Sequence, residues 1–117
     1  MEENNVKEPE VKAEKIYRDI EEGIREYIDG DEEIYEITTK DGVFEMKEVE
    51  YDKIRAAIKR GKASDREELC ILSEMVFSKD GETRKIGELE FGKCKGSSIV
   101  KLAKAMNNLI DLTDFRI

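Results

Sequence analysis

Sixteen residues, IYEITTKDGVFEMKEV from Ile34 to Val49, constrain this chain more than any other stretch. Apolar and polar side chains alternate on both sides of Asp41-Gly42, the strongest short-range signal for a β-hairpin. A two-residue type I′ turn needs positive φ at both central positions, and Asp-Gly supplies it at low steric cost. Centring the turn on Asp41-Gly42 sets Thr39 opposite Phe44, Ile37 opposite Met46 and Glu36 opposite Lys47. One face then collects Tyr35, Ile37, Phe44 and Met46. Two strands alone are only marginally stable, so other parts of the chain must cover that face.

The expected cover is helical. Residues 51–60 put Ile54, Ala57 and Ile58 on one side of a short helix, with Gly61 as its natural stop. Ser64-Asp65-Arg66-Glu67 has the form of a capping box. It opens a helix to about Phe77 that is apolar around most of its circumference, as a central core helix would be. Asp80-Gly81 marks a turn, and residues 85–91 read as a helical turn. Ser97 caps a last helix over residues 98–110, with Ile99, Leu102, Ala103, Met106 and Ile110 inward. Upstream, Ile16, Ile20, Ile24 and Ile28 recur every fourth residue. That spacing predicts an amphipathic helix over residues 11–28, with Glu14–Arg18 and Glu21–Arg25 as i,i+4 pairs. The fold class expected is α+β and mainly helical, with one hairpin in the N-terminal half packed on three to four short helices. Residues 1–10 read as a disordered acidic tail, 11–30 as the amphipathic helix, and 31–117 as one small α+β domain.

The chemistry-bearing residues point away from catalysis. Among 117 residues there is no histidine, and the two cysteines, Cys70 and Cys94, have no metal or redox spacing. Asp29-Gly30-Asp31 lacks the ligand pattern of a calcium loop, and Gly92 to Ser98 lacks the glycine spacing and Lys-Ser/Thr pair of a phosphate loop. No catalytic residue, cofactor or metal is expected. Residues 1–33 hold 13 Asp/Glu against 5 Lys/Arg, which is the whole net charge of −8. A neutral body with an acidic arm is a poor nucleic-acid binder, because phosphate contacts need a clustered basic face. Without a signal peptide or an apolar run near 18 residues, the expected location is cytoplasmic. Contact with a protein partner is the remaining class. Its candidate residues are Ile16, Ile20, Ile24 and Ile28, together with Phe115 and Ile117 of the apolar C-terminal tail.

A hairpin of the type TTKDGVFEM leads through EVEYDKIRAAIKR into a helix. DREELCILSEMV forms the next helix, an Asp-Gly turn follows, and Gly96 to Leu109 closes the order with a G-x-x-L-x-x-A-x-N-x-L-like helix. Over about residues 33–110 this order resembles the tail assembly chaperones of tailed bacteriophages. The proline usual at the start of the first helix is replaced here by Val49-Glu50, and the N-terminal acidic segment is additional. The resemblance implies a non-enzymatic assembly factor that binds the helical tape-measure protein and recruits tail-tube subunits in the host cytoplasm. The acidic N-terminal segment supports an alternative, an inhibitor or regulator that occupies a basic nucleic-acid-binding protein. The sequence leaves self-association open.

Overall fold

The computed structural model describes residues 15–111. In chain order they form strands β1 (Arg18–Glu21), β2 (Ile24–Asp29), β3 (Glu32–Thr39) and β4 (Gly42–Lys47). Helices α1 (Tyr51–Ser64) and α2 (Glu67–Met75), strands β5 (Val76–Lys79) and β6 (Glu82–Thr83), and helices α3 (Glu88–Gly92) and α4 (Gly96–Leu109) follow. The six strands make one antiparallel sheet in strict chain order, with α1 and α2 inserted between β4 and β5. The class is α+β, but it is not mainly helical, and the hairpin is part of a larger meander.

The expected helix over residues 11–28 is where the sequence reading fails most. From Arg18 onward the chain is β1 and β2, paired to each other and to β3. A four-residue spacing is even, so it satisfies a strand's alternation as readily as a helical turn. Isoleucine and tyrosine favour the pleated form, and Gly23 (φ 81°) and Gly30 (φ 69°) supply turns between strands. The expected Glu21–Arg25 helical pair gives way to cross-strand ones, and Glu14 of the other expected pair lies outside the described residues. Arg18 pairs with Glu26, and the Nε of Arg25 donates to Glu36 at 2.7 Å. The disordered tail expected over residues 1–10 lies outside the described residues.

The hairpin β3–β4 has the expected buried face, with Tyr35, Ile37, Phe44 and Met46 all in the core. Its register is displaced by two residues. Ile37 faces Phe44, Tyr35 faces Met46, and Glu36 faces Glu45 rather than Lys47. The loop residues are Lys40 and Asp41, both with negative φ, and the positive value falls on Gly42 (φ 130°). Asp41 instead reaches across to α4. Its carboxylate accepts the Lys95 backbone N–H at 2.8 Å and the Ser98 hydroxyl at 2.6 Å. A loop 54 residues upstream of Lys95 therefore caps α4, and the expected Ser97 cap does not form, the cap position being Lys95. Type I′ dihedrals occur at the other Asp-Gly pair, Asp80 (φ 52°) and Gly81 (φ 84°), which joins β5 to β6.

The helices lie on the face that carries Ile24, Ile37, Phe44 and Met46. α2 is the central one, with Cys70, Ile71, Leu72 and Met75 buried, and it passes directly into β5 at Val76 rather than continuing to Phe77. α1 packs beside it through Ile54, Ala57 and Ile58, and does not stop at Gly61. The helix runs three residues further to Ser64 and ends on Asp65 in the left-handed region (φ 60°). Arg66, without a side-chain cap, opens α2, so the expected capping box is not formed. The Ser64 hydroxyl donates back to the Arg60 carbonyl at 3.3 Å. Leu102, Ala105 and Met106 of α4 and Phe91 of α3 close the core. The phenyl rings of Phe44 and Phe91 meet at 5.9 Å between centroids.

Candidate protein-binding site

Strand alternation sorts β2 and β3 into two faces. Ile24 pairs with Ile37, Glu26 with Tyr35 and Ile28 with Glu33 on the helix-bearing face. Arg25 pairs with Glu36 and Tyr27 with Ile34 on the other. The helices cover the first face at Ile24, Tyr35 and Ile37. Beyond that point, toward the β2–β3 turn, the cover stops. Ile16 is 86 % exposed and Ile28 62 % exposed, and both line one open cleft of about 590 Å³.

The other walls of that cleft are charged. Arg18, Glu26, Tyr27, Asp31 and Glu33 surround the two isoleucines. Glu26 is only 5 % exposed and pairs with the Arg18 guanidinium. Glu33 sits diagonally across the ladder from it, and the two carboxyl groups share a hydrogen bond. The proton donated by Glu33 and the Arg18 charge hold Glu26 below the usual carboxylate range. Glu33 is pushed up, first by that hydrogen bond and then by burial. Two carboxyl groups thus lie close together, with the Arg18 cation on Glu26. Tyr35, beneath them, is raised by burial and then by the charges of Glu33 and Glu26.

The opposite face buries Tyr27 and Ile34 among paired polar groups. Glu45 accepts from the hydroxyls of Tyr27 and of Ser78, the latter at 2.7 Å, and Lys15 stands 3.8 Å from it. Burial, then the bond to Glu45, pushes the Tyr27 phenol far up. Arg25 lies 3.6 Å over the Tyr17 ring, and the Tyr17 and Tyr27 rings meet edge to face at 5.4 Å. These contacts anchor the first strands. Burial raises both the Cys70 and the Cys94 thiol, which disfavours the thiolate needed for nucleophilic attack. Among the described residues, no group of three or more Cys, Asp or Glu side chains could hold a metal ion. No helix among them is long and apolar enough to cross a membrane.

The four isoleucines read as one contact stripe therefore divide. Ile24 belongs to the core, and Ile20 packs half-buried against it. Ile16 and Ile28 remain outside and come together in the cleft. Phe115 and Ile117 lie outside the described residues. Glu26, Glu33 and Arg18 were not singled out by the sequence, because Arg18 and Glu26 read as the solvated side of a helix over residues 11–28 and Glu33 lies beyond its end. On strands, the two-residue alternation from Ile24 through Glu26 to Ile28 would have revealed the arrangement. No family model matches the chain, and neither a curated protein nor a solved structure is significantly similar to it.

Proposed function

We propose that this chain is a non-enzymatic, protein-binding factor, and specifically a tail assembly chaperone of a tailed bacteriophage that holds the tape-measure protein and helps recruit tail-tube subunits. The observation that carries the protein-binding reading is the pair of exposed isoleucines, Ile16 and Ile28, that line one open cleft. Single exposed apolar residues are ordinary, but adjacent ones with a charged rim are the make-up of a contact surface. The narrower reading takes its support from the order of elements. Hairpin β3–β4, helices α1 and α2, the Asp80-Gly81 turn and helix α4 follow one another as in the pattern to which the chain is similar. A long helical tape measure exposes apolar stripes that aggregate unless covered, and many weak contacts along a repetitive target gain by multivalency.

The test is co-purification with a tape-measure protein, using the wild-type chain and an Ile16→Asp/Ile28→Asp variant. The wild type is expected to hold the partner in solution. The variant is expected to lose it without a change in melting temperature, because both side chains are exposed. Failure of the wild-type chain to bind any part of the tape measure overturns the proposal.

The acidic-regulator reading has one observation in its favour, the excess of 13 acidic over 5 basic residues in 1–33. Residues 18–21 and 24–29 of that segment are built into β1 and β2, so the deletion that tests this reading is of residues 1–14, which lie outside the described residues. On this reading, their deletion abolishes binding to a basic protein and the isoleucine variant does not.

A further inference from the structure

The charged rim of the cleft restricts what can cover the isoleucines. We infer that the occupant is a basic amphipathic helix, which seats aliphatic side chains on Ile16 and Ile28 and places a lysine or arginine at the Glu26–Glu33 pair. This rests on the protein-binding reading above and specifies the chemistry of the partner.

The argument is one of charge complementarity. In the cleft itself Glu26, Asp31 and Glu33 stand against Arg18 alone. A second cleft of about 470 Å³ continues from it through Asp31 and Glu33. It adds Glu32 and Glu48 against Lys47, with Val49 and Leu109 as its apolar part. The apolar ground is thus flanked by acid on a continuous stretch around the β2–β3 turn. A partner seated on Ile16 and Ile28 removes water from the exposed Glu33 beside the buried Glu26, and among the described residues Arg18 is the one cation lining that cleft. Desolvating carboxylates without a counter-charge is strongly unfavourable. An uncharged apolar helix would impose that penalty, and an acidic one would add repulsion to it. A lysine or arginine supplies the missing counter-charge and removes that penalty.

The experiment uses the full chain and two synthetic amphipathic helical peptides that share one leucine stripe. The polar face carries lysines in one peptide and glutamates in the other. The lysine peptide is expected to bind, more weakly as salt rises, and the glutamate peptide is expected not to bind. Glu33→Gln is expected to weaken the lysine peptide roughly tenfold while raising the melting temperature of the free protein. A residue that only supports the fold would lower both together. Equal binding of the two peptides, or full affinity in Glu33→Gln, overturns the inference. If both peptides bind and Ile16→Asp/Ile28→Asp abolishes both, the charge rule falls and the isoleucine patch stands. If the isoleucine variant binds the lysine peptide like the wild type, the patch falls with it.

Discussion

Gly61→Ala separates helix propensity from packing. Gly61 lies inside α1, where alanine is favoured over glycine by about 1 kcal/mol on propensity alone. If Gly61 were only a helix stop or a flexible link, the substitution would be harmless or stabilising. The structure reverses the sign. A Cβ at Gly61 would stand 2.2 Å from Glu67 Cα and 2.7 Å from Glu67 N. Both are backbone atoms at the start of α2, so no rotamer change relieves the overlap. Ordinary contact requires α1 and α2 to move apart by more than an ångström, along the seam where Ile54, Ala57, Cys70 and Ile71 are packed. Overpacking of this kind costs about 1–3 kcal/mol and sometimes more, which exceeds the propensity gain. The net expectation is a loss of up to about 2 kcal/mol, or up to roughly 16 °C in melting temperature for a domain of this size. Thermal unfolding followed by circular dichroism reads it directly. Gly96→Ala in α4, where a Cβ would meet nothing within 4 Å, is the control and should be neutral or slightly stabilising. A Gly61→Ala protein as stable as the wild type would refute the close-approach account of α1 and α2.

Three further substitutions probe the other links. Asp41→Ala should lower the melting temperature by uncapping α4. Because hydrogen bonds from Ser98 and Lys95 depress the Asp41 pKa, its contribution is present above the ordinary aspartate value of about 4 and fades as pH falls through the depressed one. The difference between Asp41→Ala and wild type should therefore shrink in acid, and a pH series of melting curves checks this. Glu33 has the opposite sign. Its raised pKa means that stability is present below the ordinary glutamate value of about 4.3 and lost as pH rises through the raised one. Glu33→Gln should accordingly be more stable than wild type at neutral pH and indistinguishable from it in acid, in the same series. Asp65→Gly should stabilise by up to about 1 kcal/mol, since Asp65 ends α1 with a left-handed φ of 60° that glycine adopts without strain. A chemical-denaturation midpoint measures that gain.

What the sequence made legible was mostly the identity of faces, and what it concealed was mostly the choice between competing local rules. Tyr35, Ile37, Phe44 and Met46 share a face in either hairpin register, because a displacement of two residues preserves strand alternation. The register itself depended on the turn, and Asp41 was drawn away from the turn chemistry by the Lys95 N–H and the Ser98 hydroxyl at the start of α4. That contact is tertiary and leaves no local trace, whereas Asp80-Gly81, under no such demand, follows the Asp-Gly rule. Ser64 and Glu67 have the spacing of a capping box, but the helix before them continues to Ser64 and occupies its hydroxyl. The isoleucines at 16, 20, 24 and 28 fit both periods. The helical choice hid the sheet, and with it the meeting of Glu26, Glu33 and Arg18. Ile16 and Ile28 were named by the sequence as part of a helical stripe, and they line one cleft because Ile16 lies in the segment leading into β1 while Ile28 is on β2.

Amide hydrogen exchange of the chain with and without a tape-measure fragment tests the central claim most directly. Partner binding at the isoleucine cleft predicts slowed exchange in β1, in β2 from Ile28 onward and in the β2–β3 turn, with α1, α3 and the face bearing Tyr17 and Arg25 unchanged. Protection confined to those other surfaces, with β1 and the β2–β3 turn exchanging as in the free protein, would contradict it.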